Sequence, residues 1–212
     1  MPLSAHLLAS LQHPLLAREW HVVSAVALSV CNRPDWIPQL FHACKAVKDQ
    51  CGMAAKMREA LLKASVLAGL PKTINSLTAL RSVTPSDCLP SPQRTAVDYE
   101  ERGRAYFDRV YGKICGRVAQ QLEHASPDLY SLTMHAIYGQ VLSYSDILSP
   151  RETSFVVLAA LIPQDVNPQL KGHLQGALNN GATVDEVNAV RQITLRIVEE
   201  CSIHLREPTA KL

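Results

Sequence analysis

Apolar residues return every three or four positions along most of this chain, and strict polar–apolar alternation is nowhere sustained. That period belongs to amphipathic helices and argues against strands. Helices are expected over Leu3–Leu11, Ala17–Val30, Ile37–Gln50, Ala54–Ala68 and Lys72–Ser82. The segment from Val83 to Thr95 holds three prolines and no period, so it reads as a linker. A second set follows over Tyr99–Val110, Ile114–Glu123, Pro127–Ser143, Pro150–Leu161, Pro168–Asn179 and Val184–Leu205. The fold class is all-α, with helical hairpins packed as a bundle.

The sharpest local signals lie between Ser149 and Val187. Ser149-Pro150-Arg151-Glu152 is a capping box with proline in the first turn, and Thr183 to Glu186 is a second box. Gly181 sits where a helix stops by turning left-handed. Between these signals lies His173, followed on the same helical face by Gly176 and Ala177.

Composition narrows the picture. The 212 residues are 47% hydrophobic and 19% charged, the profile of an ordinary globular protein. A net charge of +2 supplies no field for nucleic acid or anionic lipid. No apolar run approaches the length of a bilayer span, and the N-terminus reads as an amphipathic helix rather than a signal peptide. None of the six cysteines forms a C-x-x-C pair, and they sit mostly in apolar helical patterns. Free thiols in a reducing setting are therefore expected, without disulfides. The eight histidines show no H-x-x-x-H spacing, so neither a metal site nor a cofactor is expected.

The string SPRETSFVVLAALIP followed by PQLKGHLQGALNNGATVDEV resembles the carboxymuconolactone decarboxylase family, relatives of alkyl hydroperoxidase D. Arg151-Glu152, the LAAL run and His173 to Gly181 carry the likeness; ERGRAYFDRVYG and HAIYGQVLSYSDILSPRE extend it over about residues 99 to 203. The first third is similar to a degenerate copy of the same unit. Arg18-Glu19 parallels Arg151-Glu152, and Pro38-Gln39-Leu40-Phe41-His42 parallels Pro168 to His173, one residue shorter. The expected organisation is a degenerate unit over 1–82, a linker over 83–96, a second unit over 97–205 and a flexible tail over 206–212, with the two units related by a pseudo-twofold axis.

The resemblance also implies where chemistry would sit. The peroxidase branch uses a C-x-x-C, a histidine and a glutamate on the preceding helix; a low-pKa thiolate attacks the peroxide and a second thiol resolves it. Here the cysteine positions fall on Val166 and Gln169 and the glutamate position on Ser154, so thiol peroxidase turnover is not expected. In the first copy His21 and His42 take the glutamate and histidine positions, and Cys31 has no partner in sequence. The decarboxylase branch lacks the cysteines too. There His173 is the candidate acid or base, because an imidazole titrates near neutrality. Gln140 stands where that branch carries a glutamate and can hydrogen-bond but not relay a proton. Tyr138, His135 and Ser154 are expected to line the same pocket.

Plainer readings stand beside these. His173 has a plainer reading as a core histidine, though its motif context favours the site role; Tyr138 reads as a core aromatic and Glu152 as a capping residue. Gly176 serves close helix packing, His42 and Cys44 belong to a structural repeat, and Arg102, Arg104 and Arg109 form a solvated helix face. Three functions remain open: a lyase-like protein acting on a small carboxylated or CoA-derived metabolite, a silent oligomeric scaffold, and a peroxide-handling protein using Cys31 or Cys44. The resemblance implies homo-oligomers, often in threes. Finally, Ala210-Lys211-Leu212 is a conservative form of the S-K-L peroxisomal address. With Pro208 expected to end the last helix and free the tail, it implies import to the peroxisome matrix by a receptor reading that tripeptide.

Overall fold

The computed structural model describes residues 2–44, 47–88 and 98–212, and among these there is no strand. Among the described residues eleven α-helices run in order: α1 (Ala5–Leu11), α2 (Trp20–Val30), α3 (Ile37–Ala43), α4 (Gln50–Ala68), α5 (Leu70–Val83), α6 (Tyr99–Tyr111), α7 (Cys115–Ala125), α8 (Pro127–Leu132), α9 (Pro150–Leu161), α10 (Asn167–Asn179) and α11 (Val184–Glu200). A π-helix, Thr133–Leu142, separates α8 from α9.

Two helices form the centre. Every residue of α2 is buried, and so is all of α9 from Glu152 to Leu161. A helix apolar on all sides must be covered on all sides. The two pack on each other, and both α4 and α11 pack on each of them. Helices α2 and α4 of the first half thus exchange contacts with α9 and α11 of the second. Ion pairs staple the halves together at the helix starts. Glu152 accepts from Lys56 at 2.5 Å, and Arg151 reaches Glu19 at 3.2 Å and Glu186 at 2.5 Å. Glu152 is therefore more than a cap, although both expected capping boxes form.

An outer layer of α6, α10 and the π-helix builds the wall of a cavity. Helix α6 crosses the π-helix glycine on glycine: a Cβ on Gly103 would stand 2.5 Å from the Met134 carbonyl, and one on Gly139 would stand 2.3 Å from the Tyr99 carbonyl. Gly176 meets α6 in the same manner, since a Cβ there would lie 2.8 Å from Val110. The π-helix ends on an unusual cap. Lys63 of α4, fully buried, donates to the carbonyls of Val141 (3.0 Å), Leu142 (2.8 Å) and Tyr144 (2.7 Å), with Glu59 3.7 Å away. An ammonium has three donors and no acceptor, so this geometry saturates it.

Several expectations are corrected. Arg102 is no solvated side chain: its guanidinium donates to the Gly139 carbonyl at 2.8 Å and to Ser143 Oγ at 2.9 Å, clamping α6 to the π-helix. Cys51 and Cys88 form a disulfide, against the expectation of free thiols only. Their separation of 37 residues hid the pairing, which depends on the turn after α5 folding back onto the start of α4. Most of the linker lies outside the described residues. The last helix stops at Glu200, well before Pro208, because Ser202 turns left-handed (φ 54°) and Ile203 N–H closes on the Val198 carbonyl.

The tail beyond is docked rather than free. Arg206 binds Asp165 through its backbone N–H (2.8 Å) and guanidinium (3.1 Å). Arg191 donates to the Thr209 carbonyl, and Ala210 N–H donates to Asn167 Oδ1 at 2.8 Å. Ala210 is buried while Lys211 and Leu212 project. No helix among the described residues is long and apolar enough to cross a membrane.

Candidate functional site

A cavity of about 750 Å³ opens between α6, α7, α10 and the π-helix, with Val66 and Leu67 of α4 behind it. The π-helix builds one wall through Thr133, Ile137, Tyr138 and Leu142, spaced by the four-to-five-residue repeat that i→i+5 bonding imposes. The opposite wall is α10, whose first turns present Gln169, Gly172 and His173. Helix α7 closes the third side with Arg117, Val118, Gln121 and Leu122. No residue of α7 or α8 is buried, and α7 packs mainly on α8, so this hairpin forms the outer cover. Arg117 and Lys171 are the two cations at the cavity, and both are exposed.

Inside, three side chains form a polar line along the cavity. The Tyr138 hydroxyl donates to the Tyr111 hydroxyl at 3.2 Å, and the Tyr111 hydroxyl lies 3.4 Å from His173 Nε2. The direction of the Tyr111–His173 contact follows the tautomer of the imidazole. Burial pushes His173 down to about 4. Burial likewise raises Tyr111 and Tyr138, so all three groups are uncharged at neutral pH. Phe107 stacks edge-on to Tyr138 with ring centres 5.0 Å apart and fixes the inner end.

Of the expected site residues, the structure brings His173 and Tyr138 into one cavity. The others lie elsewhere. Gln140 and His135 are five apart, so they share a face of the π-helix, and that face is exposed. His135 bonds the Ser131 carbonyl at 3.0 Å and Glu100 at 3.3 Å, and these partners raise its pKa. Ser154 donates to the Pro150 carbonyl and accepts from Asn180 at 2.9 Å, in a separate buried polar cluster with Thr153 and Tyr106. Tyr111, Arg117 and Lys171 were missed. Tyr111 had a signal, the Phe107–Tyr111 pair at helical spacing. In the first half His42 is exposed while His21 is buried with Nε2 unpartnered, so the two candidate copies differ in environment.

A profile of the carboxymuconolactone decarboxylase family matches residues 127–197, which span α8, the π-helix, α9, α10 and most of α11. The chain is 44% identical to "Peroxisomal protein 2" of Schizosaccharomyces pombe, with 88% of each chain covered. It is 32% identical to "Peroxisomal protein 2" of Saccharomyces cerevisiae, with 94% of each covered. The chain belongs to the carboxymuconolactone decarboxylase family. Within it, it is a peroxisomal protein of the kind found in these two yeasts. The family match takes in the π-helix and His173 walls of the cavity but not α6 and α7, which contribute Tyr111 and Arg117.

Proposed function

We propose that this cavity binds a small carboxylated or CoA-derived metabolite and that His173 moves a proton on it. The observation that carries the reading is the Tyr138–Tyr111–His173 line ending in a cavity of about 750 Å³ with two cations at its edge. A space of that size accommodates a small-molecule ligand. Arg117 and Lys171 supply the charge to hold a carboxylate or phosphate, and the apolar walls take the carbon skeleton. Burial keeps His173 neutral. An anion bound beside it favours the imidazolium and shifts its pKa back toward neutrality, where Nε2 can both take up and return a proton. Loss of a carboxylate as CO₂ leaves electrons on carbon that need such a proton. Tyr111 orients the imidazole.

The test is binding and turnover with a carboxymuconolactone and with short acyl-CoA thioesters. Saturable binding that His173→Ala and Arg117→Ala both weaken at least tenfold supports the reading. Absence of binding by every probe supports the scaffold instead. A homo-oligomer belongs to the same reading, since Ile114, Leu129 and Leu132 stand exposed around the α7–α8 hairpin; light scattering tests it. The C-terminal Ala210-Lys211-Leu212 is the proposed import signal read by a peroxisomal receptor, with Lys211 and Leu212 already accessible.

A further inference from the structure

Cys51 is the second residue of α4, where backbone N–H groups without helical partners favour negative charge. Its disulfide partner Cys88 ends a 3₁₀ turn, Ser86–Cys88, that packs on α4. The backbone fixes that turn independently of the sulfurs. Cys88 N–H closes on the Pro85 carbonyl at 3.0 Å, and Arg58, two turns along α4, donates to the Cys88 carbonyl at 3.1 Å. The Cα atoms of the two cysteines are 4.7 Å apart. Asp87 stands beside them. Its Oδ1 lies 3.8 Å from Cys88 Sγ, and a carboxylate oxygen and the two sulfurs all fall within 4.8 Å of one another. Among the described residues no other three Cys, His, Asp or Glu side chains converge in this way. Cys88 is buried, whereas Cys51 and Asp87 are reached by solvent.

We propose that Cys51, Cys88 and Asp87 form a redox-gated site for a divalent cation of the zinc class. The disulfide ties up both sulfurs and excludes the ion; the reduced pair, with the carboxylate, binds it. Two thiolates and one carboxylate are a donor set that suits zinc, and a solvent-facing fourth position takes water. In a tetrahedral site the sulfurs sit about 2.3 Å from the ion and about 3.8 Å from each other. Rotation about the two Cα–Cβ bonds reaches that spacing while the backbone keeps its hydrogen bonds. The three ionised donors outweigh the ion by one negative charge, which the Arg58 guanidinium at the Cys88 carbonyl offsets.

A dithiol reductant opens the site. One of its thiolates attacks a sulfur of the disulfide, forming a mixed disulfide and expelling the other cysteine; its second thiol then displaces the first cysteine. The protein pair gains two electrons and the two protons of the dithiol, which leaves as its cyclic disulfide. Zinc then displaces those two protons to water as it takes up the thiolates. In reverse, a small disulfide takes two electrons from the pair and two protons from water and leaves as two thiols. The Cys51–Cys88 bond re-forms and the ion is released. The link between α4 and the segment after α5 is kept in both states, by a covalent bond in one and by the ion in the other. None of the three residues lines the His173 cavity.

The experiment prepares the full chain in its disulfide form and after mild reduction, strips metal from both, and titrates zinc against a chromophoric chelator. Reduced protein should bind one zinc. The disulfide form, which keeps the other four thiols free, should bind at least tenfold more weakly. Cobalt in place of zinc should give a thiolate charge-transfer band in the near ultraviolet. Cys88→Ser should abolish that band, Asp87→Asn should weaken zinc binding at least tenfold, and Cys44→Ser should behave as the unaltered protein. A small disulfide should release the zinc as the Cys51–Cys88 cross-linked peptide returns. The proposal is overturned if the reduced chain binds zinc no more tightly than the disulfide form, if the band survives Cys88→Ser, or if Asp87→Asn binds as tightly. Comparing the two forms of the unaltered chain decides this even if a serine variant fails to fold.

Discussion

The Tyr111 hydroxyl stands 3.4 Å from His173 Nε2, joining α6 to α10 across the cavity. That distance is long for a hydrogen bond of this type, so the contact positions the imidazole more than it stabilises the fold. Both residues should therefore be expendable for folding and needed at the cavity, in different ways. His173→Ala and Tyr111→Phe should each cost about 1 kcal/mol of stability or less, the usual worth of a single modest hydrogen bond. His173→Ala should remove ligand binding, whereas Tyr111→Phe should retain binding and lower any turnover. Denaturant titration beside calorimetric binding separates the two. A loss of several kcal/mol in either variant would make the pair a structural one.

Acid should destabilise the protein in a window set by histidines. Burial and then the nearby Lys56 push His21 down to about 4, with Glu152 opposing, and burial pushes His173 to about 4. In the unfolded chain both titrate near the ordinary 6.5. Between those values the unfolded state binds more protons, so stability is fully present above pH 6.5 and falls as pH drops toward 4. For the buried His21 the loss between pH 7 and pH 5 is roughly 2 kcal/mol. His21→Gln should flatten that part of the urea-denaturation profile. An unchanged slope would show that His21 is not the group responsible.

The legible part of the chain was its periodicity and punctuation. The helices, both capping boxes and the left-handed Gly181 follow from local spacing, and local spacing is retained on folding. The π-helix was not legible. Residues 127–143 read as one helix, but backbone bonding shifts to i→i+5 at Thr133, and this decides which side chains reach the cavity. Tyr138 enters and Gln140 does not. Lys63 escaped for a related reason: one lysine in an apolar helix looks like a surface residue until its three carbonyl partners, all about 80 residues away, are brought to it.

Lys63 should prove among the most sensitive positions in the chain. Lys63→Met keeps the length of the side chain but removes three donors, leaving the carbonyls at the end of the π-helix without them and Glu59 beside them. Breaking a buried charged network by removing one member costs about 3–5 kcal/mol. Thermal unfolding should show this loss, and tryptophan-independent probes near the cavity should show the π-helix wall loosening first. Amide exchange at Leu142 and Ser143 is the direct readout. If Lys63→Met is neutral, water has replaced the ammonium and the cap is dispensable.

The docked tail makes a two-sided prediction about import. Removing Leu212, or changing Lys211 to Glu, should leave folding intact and abolish peroxisomal delivery, because both residues project and neither touches the core. Ala210 is different: its N–H is held by Asn167 and the preceding carbonyl by Arg191, so a receptor needing an extended tripeptide must first open that clasp. A signal that is free only part of the time binds more weakly by that fraction. Asn167→Ala should therefore raise receptor affinity severalfold while the core stays intact. Fluorescence polarisation with purified receptor measures the affinity, and a fluorescent fusion reports delivery. Weaker binding by Asn167→Ala would mean that the docked tail is the form the receptor reads, and a wild-type fusion that stays cytosolic would remove the signal altogether.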